Sequence, residues 1–418
     1  MDVDVEYLAS ESWDGHMAAR LRWLREHDPV HWSEKDGLWL VTKFDDVARV
    51  SKHQDVFTSA HGVRPGNAAK LGLIDEDEPR HANLRRLINK GFTPRMVRKL
   101  ETTFREITTE AIDSVADRGE CDFVHSIAVP LPLKLIAAMM GIAREDFDRF
   151  HQWSDDMIAA DGNQNVPEIM ARAGAAFLEY SGYVTRIIED RRRSPQDDLV
   201  SILTGAKDEG ILGRFDVREI PHGMGDEHLD LANDELIMLL VVLLVAGNET
   251  TRNGISGGMQ LLIENPGERR KLIENPSLIP AAVEEMVRVV SPVHSFARTA
   301  TRDAELRDKR IREGEKLLLL YPSANRDPEV FEDPDVFKVD RNPHHLGFGI
   351  GNHFCLGANL ARMEMRVAFT ELLRRLPDMA YANGGPVLRP SALVRSCVEM
   401  KVRFTPEDGA PARAAGRS

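Results

Sequence analysis

The chain has 418 residues, with 54 Lys and Arg against 67 Asp and Glu, giving a formal net charge of −13. Its length and its hydrophobic content of 42% allow a large buried core. An acidic balance with no basic face argues against nucleic-acid binding. Cys121, Cys355 and Cys397 form no CxxC pair or disulfide framework, so a reducing cytoplasm is the expected location.

The N-terminal stretch MDVDVEYLASESWDG is acidic and lacks the basic and apolar regions of a secretory signal. A hairpin is expected over 29–43, turning at Asp36-Gly37. Periodicity predicts helices over 94–117, 126–141, 166–193, 233–264, 266–273, 279–290 and 358–376, with strand-like segments around 297–321 and 388–404. Residues 205–230 mix Gly, Pro and charge and read as a surface loop or hairpin. The longest apolar run, 236–247, is about half the roughly 20 residues that a bilayer requires, so no membrane anchor is expected. Residues 406–418, PEDGAPARAAGRS, are predicted to be a disordered tail.

Residues 348–357, FGIGNHFCLG, place Cys355 in a glycine-rich turn directly ahead of a helix-forming run. Gly349, Gly351 and Gly357 permit backbone shapes and close approaches that a Cβ would block. The start of the following helix offers amide N–H groups and a positive dipole end, which stabilise a thiolate. A lone cysteine is more often a buried structural residue, but a sulfur in this setting reads as a ligand to iron.

Phe348, Gly349, Gly351, His353, Cys355 and Gly357 match the haem-ligating signature of the cytochrome P450 family, which the chain resembles from about residue 15 to residue 405. The resemblance implies a mainly α fold with small β-sheets, a single domain over 1–405 and a long central helix over haem b. It makes Cys355 the metal ligand and places Phe348, Gly349, His353 and Gly357 against the cofactor.

Asn233, followed by Asp234 and Glu235, is a helix cap with acids in the first turn, and the apolar run after it implies burial on all sides. The polar interruption of that run, residues 246–253 or AGNETTRN, matches the family's small-Gly-x-acid-Thr pattern on the helix crossing the oxygen side of the haem. By resemblance Ala246 flanks the cofactor, and Glu249 and Thr250 are the catalytic pair that delivers and holds protons. The Thr250 hydroxyl can reach the carbonyl of Ala246, and Gly247 weakens the same turn, so a local opening of the helix is expected. The residues alone equally allow Glu249 to pair with Arg252 or Asn253 while Thr250 simply packs.

Glu285 and Arg288 stand three residues apart on one helix face and match the family's ExxR element, with Arg341 as third member of a structural ion network. Haem propionates call for basic donors. The resemblance assigns these to His81, Arg85, Arg298 and His353.

The implied activity is insertion of one O2-derived oxygen atom into a C–H bond of an apolar small molecule. Electrons would come from a separate ferredoxin and ferredoxin reductase, since the chain has neither a ferredoxin-type cysteine cluster nor a GxGxxG. Arg95, Arg98, Lys99, Arg362 and Arg366 can form a docking patch, although solvated helix faces explain the same charges. Candidate substrate-pocket residues are Leu71, Leu73, Met238, Val242, Val293, Phe296, Leu393 and Val394, an aliphatic set that suits an apolar substrate but equally suits core packing. The strings AGNETTRN and SFARTATRD resemble the bacterial branch oxidising sterol side chains, methyl-branched lipids and terpenoids; a secondary-metabolite tailoring role competes. An H2O2-driven peroxygenase is disfavoured by Glu249 and Thr250, and a non-catalytic haem protein by the lack of any sensor or output domain.

Overall fold

The structure, a computed structural model, describes residues 3–66, 72–89, 94–208 and 233–407. Helix α1 (Met17–His27) leads into the antiparallel hairpin β1 (Val30–Ser33) and β2 (Leu38–Val41). Gly37 turns it at φ 62°, as the Asp36-Gly37 pair predicts. The Asp36 carboxylate also accepts the amides of Tyr7 and Leu8, which pins the N-terminal segment to the hairpin. Helix α2 (Phe44–Lys52) and β3 (Phe57–Thr58) follow.

The helical body comprises α3 (Arg80–Asn89), α4 (Pro94–Asp113), the short β4 (Glu120–Asp122), α5 (Pro130–Met140), α6 (Phe147–Ala159), α7 (Pro167–Arg193) and α8 (Leu199–Asp208). Next come α9 (Asn233–Glu264), α10 (Pro266–Glu274) and α11 (Ile279–Val290). Strands β5 (Ser295–Ala300), β6 (Ala304–Leu306), β7 (Lys309–Ile311) and β8 (Lys316–Leu320) precede the single turn α12 (Tyr321–Ala324). A long irregular stretch then reaches α13 (Ala358–Arg375), and β9 (Ala380–Tyr381), β10 (Val387–Leu388), β11 (Cys397–Glu399) and β12 (Lys401–Arg403) close the fold. The largest sheet is five-stranded, in the order β1-β2-β8-β5-β3, with β2 and β8 parallel and β5 antiparallel to β8.

Helix α9 is the axis of the core. Leu236, Leu240, Leu244, Ile255, Met259 and Leu262 are buried among α5, α6, α7, α11 and α13, each side chain worth about 1.5–3 kcal/mol of transfer energy. Close approach depends on missing side chains: a Cβ at Gly247 would lie 2.6 Å from Ile136, and one at Gly258 would lie 2.6 Å from Phe369. Over Leu236–Glu264 this helix is long and apolar enough to cross a membrane, with 61% of the window buried inside the fold. Apolar character thus extends further along it than the run at 236–247 suggests.

The helices expected from 94, 166, 233, 266, 279 and 358 are present, whereas α1, α2, α6 and α8 were not anticipated. The element expected over 126–141 is divided into a π-helical turn over Val124–Ala128 and α5, with Pro130 at the first position of the helix. Two expected segments differ at their start. Helix α8 runs to Asp208, so residues 205–208 of the expected excursion are helical, and the rest of it, 209–230, lies outside the described residues. The start of the tail expected from 406 is held in place: the Glu407 amide donates to Ala116 O at 3.0 Å and its carboxylate pairs with Arg375, while 408–418 lie outside the described residues.

Candidate active site

The loop ahead of α13 holds Cys355 by its backbone. The Cys355 amide donates to Phe348 O at 2.8 Å, Phe354 N to Gly351 O at 3.0 Å, and Gly349 N to Leu346 O at 2.9 Å. Gly349 and Gly351 have φ of 69° and 79°, where a side chain is strained, and a Cβ on Gly351 would stand 3.0 Å from Ser51 O. Gly357 differs: its φ is −82° and a Cβ there would meet nothing within 4 Å. Burial pushes the Cys355 thiol up, while the Gly357 N–H, Arg85 and Arg362 favour the thiolate.

Behind the loop, Arg362 lies over the Phe348 ring, 4.6 Å from its centroid, and grips Glu284 with two hydrogen bonds of 2.7 and 2.8 Å. His345 meets the same carboxylate at 3.2 Å. Burial pushes Glu284 up, but its bonds to Arg362 and His345 outweigh that and hold it at about 2.

Basic side chains from three separate segments gather nearby. His81 and His353 rings lie 4.2 Å apart, and Arg85 donates to Asn352 O at 3.4 Å. Burial, then Arg298, His81 and Arg85, lower His353 to about 3. A cleft of about 360 Å³ opens beside them, lined by Glu78, His81, Arg85 and Asn352. Arg298, on β5, is 4% exposed; its Nη1 donates to Ala297 O, while its Nε is buried without a partner.

A buried guanidinium with donor capacity to spare, two histidines and Arg85 fit the two carboxylates of haem. The open space beside Gly357 fits a flat macrocycle next to the sulfur. Of the four basic residues, His81 alone has a direct carboxylate partner among the described contacts, Glu78 at 3.0 Å.

On α9, Ala246 is exposed within a largely buried helix, and Thr250 is half-buried. The Thr250 hydroxyl donates to Ala246 O at 2.7 Å, as the spacing predicts. The helix nevertheless remains continuous through this turn, so the expected opening is not formed: the Thr250 bond supplements the backbone ladder without interrupting it. Glu249 is fully buried and accepts from Arg252 at 2.7 Å and from Asn253 at 3.5 Å, so the helix-local pairing is present as well. Burial pushes Glu249 up to about 7, against the pull of Arg252 and with the help of Asp155.

Of the candidate pocket residues, Leu71 lies outside the described residues. Leu73, Val242 and Val394 are buried at 6%, 6% and 5% exposure, while Met238, Val293, Phe296 and Leu393 keep accessible surface. Val293 and Val394 form an isolated antiparallel bridge, and His294 N donates to Leu393 O at 2.8 Å, bringing 291–297 and 391–396 together. His294 itself, stacked on Trp13 at 4.4 Å, was not anticipated, since no local pattern links residues so far apart in sequence.

Glu285 and Arg288 are both fully buried. Arg288 donates to both Glu285 oxygens at 2.7 Å, and Arg341 donates to Glu285 Oε1 at 3.0 Å. Arg288 also holds the carbonyls of Asn325 and Pro334, and Arg341 that of Val336, so the network fastens the irregular stretch leading to Cys355. The basic patch is less free than its sequence suggests. Arg362 is committed to Glu284 and Arg366 to Glu101, Arg98 is exposed, and the side chains of Arg95 and Lys99 lie outside the described residues.

Comparison with known proteins finds relatives over most of the chain. The family described as Cytochrome P450 matches residues 164–377. A steroid C26-monooxygenase of Mycolicibacterium smegmatis is 36% identical over 395 residues, 94% of this chain and 94% of that protein. A methyl-branched lipid omega-hydroxylase of Mycobacterium bovis is 39% identical over 356 residues, 82% of this chain and 79% of that one. Among solved structures, a Mycobacterium marinum cytochrome P450 in complex with pseudoionone aligns with a TM-score of 0.84 and 31% identity, covering 96% of this chain and 98% of that one. A Bacillus megaterium enzyme in complex with testosterone aligns with a TM-score of 0.78 and 32% identity, covering 92% and 98%. The fold is that of the haem-dependent cytochrome P450 oxygenases. The chain belongs to the cytochrome P450 family, and it is an enzyme of the P450 monooxygenase type.

Proposed function

We propose that this protein binds haem b through Cys355 and inserts one oxygen atom from O2 into a C–H bond of a steroid, a terpenoid or a methyl-branched lipid. The observation that carries the cofactor assignment is the Cys355 loop facing a set of basic donors, with Arg298 Nε buried and unpartnered. When bound, the thiolate-ligated haem supplies one-electron redox chemistry and O2 activation, with the sulfur favouring O–O cleavage. His81, Arg85, Arg298 and His353 hold the propionates. Thr250 orients its hydroxyl at the accessible turn beside Ala246, and Glu249 supplies protons there.

The substrate class rests on the relatives, named for steroid side-chain and branched-lipid oxidation, and on accessible apolar residues at Met238, Val293, Phe296 and Leu393. A separate ferredoxin and reductase provide the electrons, docking on the Cys355 side, and the enzyme works in the cytoplasm. Glu249 and Thr250 weigh against a peroxygenase that consumes H2O2 directly.

The test is the optical spectrum of the purified protein after dithionite reduction and CO addition, for wild type and Cys355→Ala. A strongly red-shifted Soret band that the variant loses supports the assignment, and a conventional haem–CO band in fresh wild type overturns it. Spin-state titration with steroids, terpenoid ketones and branched fatty acids then ranks the substrate classes.

A further inference from the structure

The cysteine loop is seated on the end of α2. Gly351 packs so closely there that a Cβ would stand 3.0 Å from Ser51 O and 3.3 Å from Lys52 Cα. Just beyond the helix, Gln54 reaches two neighbouring residues of the loop, and its amide divides between them. Its Oε1 accepts from Asn352 Nδ2 at 2.8 Å, and its Nε2 donates to His353 Nε2 at 3.2 Å. The turn that carries Gln54 is itself fixed. Val56 N and Phe57 N donate to His53 O at 3.0 and 2.8 Å, Thr301 N donates to Val56 O at 2.8 Å, and Arg302 holds the Asp55 carboxylate at 2.8 Å.

An amide nitrogen only donates, so the His353 nitrogen that faces it presents a lone pair. The proton of the neutral ring is then on Nδ1, because the bond made by one imidazole nitrogen decides the state of the other. A doubly protonated ring would set N–H against N–H at Gln54, and burial, then Arg298, His81 and Arg85, disfavour it too. The Glu76 carbonyl favours the one proton that the ring keeps.

We propose that Gln54 is a positioning residue for haem retention: by donating to His353 Nε2 it leaves the ring proton on Nδ1, the nitrogen that donates to a propionate. This rests on the propionate role given to His353 above and brings in the turn after α2, which supplies none of the basic donors. A carboxylate accepts and never donates. A proton on Nε2 would therefore set the Nδ1 lone pair against the propionate and exchange a charge-assisted bond for repulsion. Asn352 secures the arrangement, because its bond to Oε1 keeps the Gln54 amide from turning its oxygen toward the ring.

Two measurements test this. The first is nitrogen-15 NMR of the His353 ring in the ferrous–CO holoprotein, assigned by its loss in His353→Phe. Wild type is expected to carry the ring proton on Nδ1 with Nε2 bare, and a proton on Nε2 overturns the proposal. The second is the rate of haem transfer to apomyoglobin. Gln54→Met is expected to speed it about fivefold, as for the loss of one ordinary hydrogen bond, and to add nothing in the His353→Phe background. An unchanged rate in Gln54→Met overturns the proposal. So does equal acceleration in both backgrounds, since Gln54 would then brace the loop without acting through His353. Unchanged transfer in His353→Phe alone would instead refute the propionate role of His353, while the ring proton still decides whether Gln54 sets its tautomer.

Discussion

Arg64 donates to both carboxylate oxygens of Asp161, at 3.1 and 3.0 Å, across 97 positions of sequence. The two side chains are 10% and 7% exposed, so this is an ion pair largely shielded from water. It ties the segment after β3 to the turn between α6 and α7, and Ser10 fastens the same turn by donating its amide to Gly162 O at 3.1 Å. Because Val63 O accepts from Ala297 on β5, the clasp reaches the strand that carries Arg298.

Cutting that clasp should loosen the segment that braces β5 before it unfolds the protein. Asp161→Asn is expected to cost about 3 kcal/mol or less of stability and to speed dissociation of whichever substrate spin-state titration selects about tenfold, measured by stopped-flow spin-state change. Unaltered dissociation would show that the clasp braces the fold only.

Arg298 should have opposite effects with and without cofactor. In the apoprotein, Arg298→Met removes a buried guanidinium whose Nε lacks a partner, so thermal stability should hold or rise. In the holoprotein the same change removes a charge-assisted donor worth about 1.5–3 kcal/mol, and haem transfer to apomyoglobin should accelerate by an order of magnitude or more.

Gly357→Ala separates fold from cofactor in a second way. Nothing in the protein opposes a Cβ there and φ is ordinary, so the apoprotein melting temperature should stay within about a degree, within the usual small effect of an unopposed substitution. Haem incorporation should fall, because the added methyl occupies the space beside the sulfur. Full loading of the variant, read from the ratio of haem to protein absorbance, would refute the placement.

The Glu284 clamp predicts an acid limb. Glu284 is held at about 2 in the folded protein against an ordinary value of 4.5. Its stabilising effect is present above about 4.5 and is lost as pH falls toward 2, where the folded carboxylate also takes up its proton. The gap between the urea midpoints of Glu284→Gln and wild type should therefore narrow steadily as pH falls from 4.5 to 3, with the variant weaker at pH 7. A constant gap over that range would mean the clamp carries no ionisation linkage.

What was legible in the sequence depended on whether its partners were neighbours in the chain. The Cys355 loop, the Glu285–Arg288 pair and the Thr250–Ala246 bond are set by spacing along one turn or helix, and each took the expected form. Arg252 was visible only as a helix-local partner of Glu249. Its other bond goes to Asp155 on α6, a helix whose sequence FDRFHQWSDDMIA hides its buried face among charges. Arg64–Asp161 and Trp13–His294 were beyond reach for the same reason, since nothing in either local pattern names the distant partner. The continuity of α9 through Gly247 was misjudged because the packed α5 side chain Ile136, rather than an opened turn, accounts for that glycine.

The character of α9 has a cost during synthesis. A helix apolar enough to cross a membrane over Leu236–Glu264 emerges from the ribosome before α11 and α13, two of the helices that cover it, exist. Until residue 375 has been made, that surface is open to self-association and to insertion machinery. Truncated chains ending between α9 and α13 should be captured by chaperones or aggregate, so yields of this enzyme should respond to translation speed and chaperone supply more than to changes on its outer helices.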